Sequence, residues 1–107
     1  MRRVVVTGMA GLTSLGEDWP TIKGAFSQGR TGIRFMEDWA RFTEINTRLA
    51  APVLDFSIAE RYPRKKTRTM GRVSQMAVYV TELALRDAGL FGEPVLVHGR
   101  TGVAYGS

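Results

Sequence analysis

The chain has 107 residues, 44% of them hydrophobic and 23% charged, which suits one small globular domain and excludes a disordered segment. It contains no cysteine, so within this chain disulfides, thiolate metal sites and a cysteine nucleophile are excluded. Fifteen Lys and Arg against ten Asp and Glu give a net charge of +5, which favours an acidic partner; no apolar run reaches the ~20 residues of a membrane span or the form of a signal peptide, which predicts a cytoplasmic location.

Val4, Val5 and Val6 are apolar on consecutive positions, a pattern that predicts a short strand covered on both faces, as in a layered α/β fold. The glycine-rich turn that follows, "TGMAGLTSLG", invites a nucleotide reading and fails it. A dinucleotide fingerprint counted from Gly8 requires glycines where Ala10 and Thr13 stand, and the short-chain dehydrogenase variant requires them at Leu12 and Ser14. A phosphate loop from Gly11 reaches Gly16, but Glu17 and Asp18 follow where a Lys and a Ser or Thr belong, and two carboxylates would repel the phosphate. The turn is therefore read as structural.

A helix is predicted from Asp18 to Gly29: Asp18 caps, Pro20 suits the first turn, Trp19, Ile22 and Phe26 share a face, and Gly29 is the stop. Arg30 to Leu54 is mixed, with Trp39 and Phe42 as anchors and "RLAAPVLDF" as an irregular strand that Pro52 confines to an edge. The strongest helix opens at Thr67 or Thr69 and runs to Asp87 or Ala88, with Met70, Val73, Ala77, Val80 and Ala84 at three- and four-residue steps. Gly89 followed by Leu90 predicts a left-handed cap. Alanines 77, 84 and 88 would admit a close neighbour, which favours a buried helix over an ordinary amphipathic one. "TGVAYG", residues 101–106, is a second strand candidate.

Charge concentrates between Ile58 and Arg72, where six basic residues (Arg61, Arg64, Lys65, Lys66, Arg68, Arg72) face one acid, Glu60. On composition alone this is a solvated face ahead of a helix, although cations there oppose the helix dipole. A nucleic-acid patch is the other reading, but only Tyr62 and Tyr79 lie nearby and no binding motif surrounds them.

Four ordered blocks, "RRVVVTGMAGLTSLG", Trp19 through "GAFSQGRTGI", "RKKTRTMGRVSQMAVYVTELALRDAGL" and "RTGVAYGS", resemble the amino-terminal part of β-ketoacyl-acyl carrier protein synthases, closest to the type II elongating enzymes. The likeness covers nearly the whole chain, with Phe35 to Phe56 its weakest part. It implies the amino-terminal part of a thiolase-like layered α/β/α/β/α fold, an incomplete sheet with flanking helices, so that residues 1–107 are a partial half-domain with no complete second domain. It also implies decarboxylative Claisen condensation in fatty acid biosynthesis and a homodimeric parent.

The cysteine and two histidines that such enzymes use lie downstream of the matched region in the family. His98, the one histidine here, stands in a connecting segment that matches no catalytic motif. No catalytic residue, cofactor site or metal site is carried over, and the chain alone is expected to be inactive. What is carried over is the basic segment: Lys65 and Arg68 correspond to family positions that meet the acidic recognition helix of acyl carrier protein, with Arg64 and Lys66 as neighbours sharing the task. Acyl carrier protein, in acyl- and malonyl-loaded forms, is thus the expected partner, with no nucleic acid and no membrane. The competing readings are a stand-alone module that docks acidic carriers and a small nucleic-acid binder. Two buried-type strands with too few helices to cover them further predict self-association, or association with a larger remainder.

Overall fold

A computed structural model describes residues 1–107. The chain divides into two compact units, Gly11–Phe56 on one hand and Met1–Ala10 with Ser57–Ser107 on the other. No helix is long and apolar enough to cross a membrane.

In the unit Gly11–Phe56 the glycine-rich turn closes on itself. Thr13 and Gly16 exchange backbone hydrogen bonds of 3.0 and 3.3 Å, and the Thr13 hydroxyl donates to the Gly16 carbonyl at 2.8 Å. Gly16 sits at φ 144°, outside the range L side chains favour, so the turn requires glycine for its backbone. Helix α1, Trp19–Ser27, begins as the sequence predicts. The Asp18 carboxylate accepts from the Thr21 amide (2.9 Å) and the Thr21 hydroxyl (2.8 Å), and Gly29 at φ 63° ends the run. Its expected apolar face is not buried: Trp19 and Phe26 are exposed, and Ala25 is the residue with no accessible surface. A two-stranded antiparallel pair follows, β1 (Arg34–Phe35) with β2 (Leu49–Ala50), in the register Arg34 to Ala50 and Phe35 to Leu49. The irregular strand predicted over "RLAAPVLDF" is thus reduced to two residues ahead of Pro52, which has no amide to donate to a ladder. Of the two predicted anchors, Trp39 is half-buried in a 3-10 turn (Glu37–Arg41), whereas Phe42 is exposed.

The other unit is organised on one long helix. Residues 58–60 form a 3-10 turn, Arg64–Thr67 a short helix α2, and Arg72–Asp87 the long helix α3. The long helix therefore starts later than predicted, because Gly71, extended at ψ 168°, separates it from the turn before it. Its carboxyl end follows the prediction: the Gly89 amide donates to Arg86 (3.0 Å) and the Leu90 amide to Leu85 (2.8 Å), with Gly89 at φ 69°, the paired bonds of a Schellman cap. Along the predicted stripe Val73 is exposed and the others are half-buried, while Tyr79 is the buried residue of the helix.

The alanines of α3 do admit a close neighbour, and it is the backbone at Gly8. A Cβ at Gly8 would lie 2.6 Å from the Ala84 carbonyl oxygen and 2.6 Å from the Ala88 nitrogen. The Met9 amide donates to the Asp87 carboxylate at 2.9 Å, fixing the segment along the helix. Beside the same helix the hydroxyls of Tyr105 and Thr81, 2.7 Å apart, both reach the Ala77 carbonyl, at 3.0 and 2.7 Å. An open groove of about 560 Å³ is left beside α3, lined by Thr7, Gly8, Val80, Ala84, Ala88 and Tyr105.

Neither Val4–Val6 nor residues 101–106 is a covered strand. Both lack ladder partners, and Val4, Val6 and Val103 are 91%, 78% and 81% exposed. A strand exists through its neighbour's hydrogen bonds, and no segment of residues 1–107 supplies them to either run. Uncovered valines and unpaired backbone groups of this kind favour association. Sedimentation of the 107-residue chain is expected to show concentration-dependent self-association, and a compact monomer at all concentrations would contradict this. Gly8→Ala is expected to destabilise the protein by about 1–3 kcal/mol, because helix backbone cannot move aside as a side chain can. A urea melt with an unchanged midpoint would refute it.

Candidate functional site

The basic segment is built by a proline and a glycine. Pro63, at φ −62° and ψ 138°, precedes the first turn of α2, and its carbonyl accepts from the Lys66 amide at 2.9 Å. Arg68 donates to Arg64 and Met70 to Thr67, each at 2.9 Å, so coiling persists past α2 until Gly71 resets the chain for α3. Thr67 is buried, 6% exposed, and so marks the inward side of the coil. Arg64, Lys65, Lys66 and Arg68 are all exposed, and none of the four joins an ion pair. The four predicted residues are thus neighbours on one short coil, with their charge presented to solvent uncompensated. His98, at the end of a 3-10 turn (Pro94–Val97), is exposed as expected.

The support beneath the cations was not legible in the sequence. The Tyr62 hydroxyl donates to Glu82 Oε2, and Glu82 Oε1 accepts from Arg86, at 2.9 Å from Nε and 2.7 Å from the terminal nitrogen. The Arg86 guanidinium lies 4.1 Å over the Phe91 ring, and Arg61 lies 4.2 Å over the Tyr79 ring. The only available signal was the i, i+4 spacing of Glu82 and Arg86, which predicts their pair but not its engagement by a tyrosine twenty residues earlier.

The network shifts both of its acids. Burial, and next the bond to Glu82, pushes the Tyr62 phenol up from 10.0 to about 12. The bond from Tyr62, and next that from Arg86, holds Glu82 below the ordinary carboxylate value. Their linkage signs are opposite. A raised phenol stabilises the fold fully below 10.0 and loses that contribution as pH rises toward about 12. A lowered carboxylate stabilises above its unfolded value of 4.5 and loses the contribution as pH falls through its folded one.

Comparison with known proteins gives a consistent picture. The β-ketoacyl synthase amino-terminal domain model matches residues 1–107. The fold superimposes on the crystal structure of a β-ketoacyl synthase from Burkholderia phymatum with a TM-score of 0.90 and 53% identity, over 100% of this chain and 26% of that one. The 3-oxoacyl-[acyl-carrier-protein] synthase 1 of Haemophilus influenzae is 31% identical over 100% of the chain, which spans 26% of that protein. The chloroplastic 3-oxoacyl-[acyl-carrier-protein] synthase II of Arabidopsis thaliana is 34% identical over 99% of the chain and is spanned to 20% of its length. The chain thus corresponds to about a quarter or less of these relatives.

Ultraviolet titration of the phenols is expected to show a step near pH 12 that Tyr62→Phe abolishes. Amplitude lost near pH 10 instead of near 12 in Tyr62→Phe would show that the network does not hold in solution.

Proposed function

The chain belongs to the β-ketoacyl synthase family, whose amino-terminal domain it matches over residues 1–107, and from that premise we propose that it is the carrier-docking part of an enzyme that elongates acyl chains by decarboxylative Claisen condensation. In that reaction an acyl group passes from the carrier thioester to a cysteine. A malonyl-carrier then loses carbon dioxide, and its carbanion attacks the acyl thioester to form the new carbon–carbon bond and release the cysteine. Residues 1–107, with no cysteine, contribute no nucleophile, so their part is scaffold and recognition. The relatives are named as synthases of 3-oxoacyl-[acyl-carrier-protein], which supports acyl carrier protein as the partner here. A cytoplasmic homodimer is the setting that agrees with this reading.

The observation that carries the docking role is the uncompensated coil Arg64, Lys65, Lys66 and Arg68. Exposed cations with no internal partner are available to an acidic helix at no cost of breaking a prior ion pair. Clustered on one short turn, they raise the encounter rate and set orientation, with an effect that falls as salt screens it.

Titration of the intact protein with acyl carrier protein at low and high salt tests this. Binding is expected to weaken with salt, and Lys65→Glu with Arg68→Glu to weaken it about tenfold while flattening the salt dependence. Salt-insensitive binding, or none, would overturn the proposal. Retention on DNA at physiological salt with no carrier binding would instead establish a nucleic-acid surface.

A further inference from the structure

The four cations occupy a segment that reads on composition as a solvated face, yet it is fastened at three points. At its amino end Tyr62, two residues before Arg64, reaches across to Glu82 on α3. In the middle Thr67 is buried. At its carboxyl end the Gln75 side-chain amide donates to the Met70 carbonyl at 3.0 Å. Of these fastenings the first is charge-assisted and is itself braced, since Arg86 holds the second oxygen of the same carboxylate and rests on Phe91. Pro63, with its fixed φ, transmits the position of Tyr62 into the first turn of α2 with little rotational slack. The backbone under the cations is therefore ordered before any partner arrives, while the side chains remain free to adapt.

We propose that Tyr62 is a positioning residue for carrier docking: through Glu82 and Arg86 it holds the Arg64–Arg68 coil on α3 so that its cations meet the partner already in register. The inference rests on the docking reading above and adds its cause of order. Binding loses affinity whenever it must fix a mobile segment, so a preordered coil spares that loss. Removing the Tyr62 hydroxyl leaves every cation in place, so the number of ionic contacts is unchanged while their arrangement loosens.

The test compares wild type, Tyr62→Phe and Glu82→Gln in the intact protein, with amide hydrogen exchange and carrier titration on each. In Tyr62→Phe, exchange across residues 64–68 is expected to rise roughly tenfold while residues 80–85 of α3 keep their protection. The carrier dissociation constant is expected to rise roughly three- to tenfold with the slope of affinity against salt unchanged. Glu82→Gln, which keeps an acceptor for the hydroxyl, is expected to fall between the two and keeps the test in force should Tyr62→Phe fold poorly. Unaltered exchange over residues 64–68 in both variants overturns the inference. So does faster exchange with an unaltered dissociation constant, which would make the tether structural only. A wild type that binds no carrier at low salt is a separate result: it removes the docking reading, and this inference with it.

Discussion

The arrangement of the larger unit depends on how closely backbone approaches α3. At Ala84 and Ala88 the helix surface is only a methyl deep, and opposite it stands Gly8, which has no side chain at all. That pairing brings the amino-terminal segment against the helix, where Asp87 takes the Met9 amide. One turn earlier the same helix receives Tyr105 through Thr81 and the Ala77 carbonyl, and Glu82 receives Tyr62. A single sixteen-residue helix thus holds three segments distant in sequence, each by a contact a larger residue or a missing hydroxyl would break.

Burial in this chain is slight, and polar contacts take up part of the ordering. Four hydrophobic residues, Ala25, Phe56, Ile58 and Tyr79, are buried, while valines at both extremities are exposed. In a molecule with so small a core, hydrogen bonds to charged groups, stronger than neutral ones, matter more than usual. The Tyr62–Glu82–Arg86 chain is of that kind, and so is the Asp18 cap of α1, whose carboxylate is held below its ordinary pKa by the Thr21 amide and then by the Thr21 hydroxyl. The basic coil follows the opposite rule: its four cations are exposed and join no ion pair.

Membership of the β-ketoacyl synthase family gives these features a common setting. The glycine turn that looks like a phosphate cradle is a hairpin-like closure around Thr13 and Gly16. The exposed Val4–Val6 run, apolar on every position, keeps the composition of a strand covered on two faces although residues 1–107 cover neither.

What the sequence determined by itself was local. Asp18 as a cap, Gly29 and Gly89 as left-handed stops, and Pro52 as a limit to a strand all follow from the conformational range of one residue and the bonds of its near neighbours. The four cations were legible too, because charge density needs no fold to be counted. Tertiary structure decided the rest. The helix expected from Thr67 or Thr69 starts at Arg72 because the extended Gly71 separates it from the turn before it; Trp19 and Phe26, apolar enough for a core, lie exposed; and two strand-like runs find no ladder. Burial and strand pairing require a second surface, and the tether from Tyr62 to Glu82 requires a second element at hydrogen-bond distance. Neither is written in the spacing of residues along one segment, so only the folded chain discloses which apolar side chains are covered and what holds the cations in place.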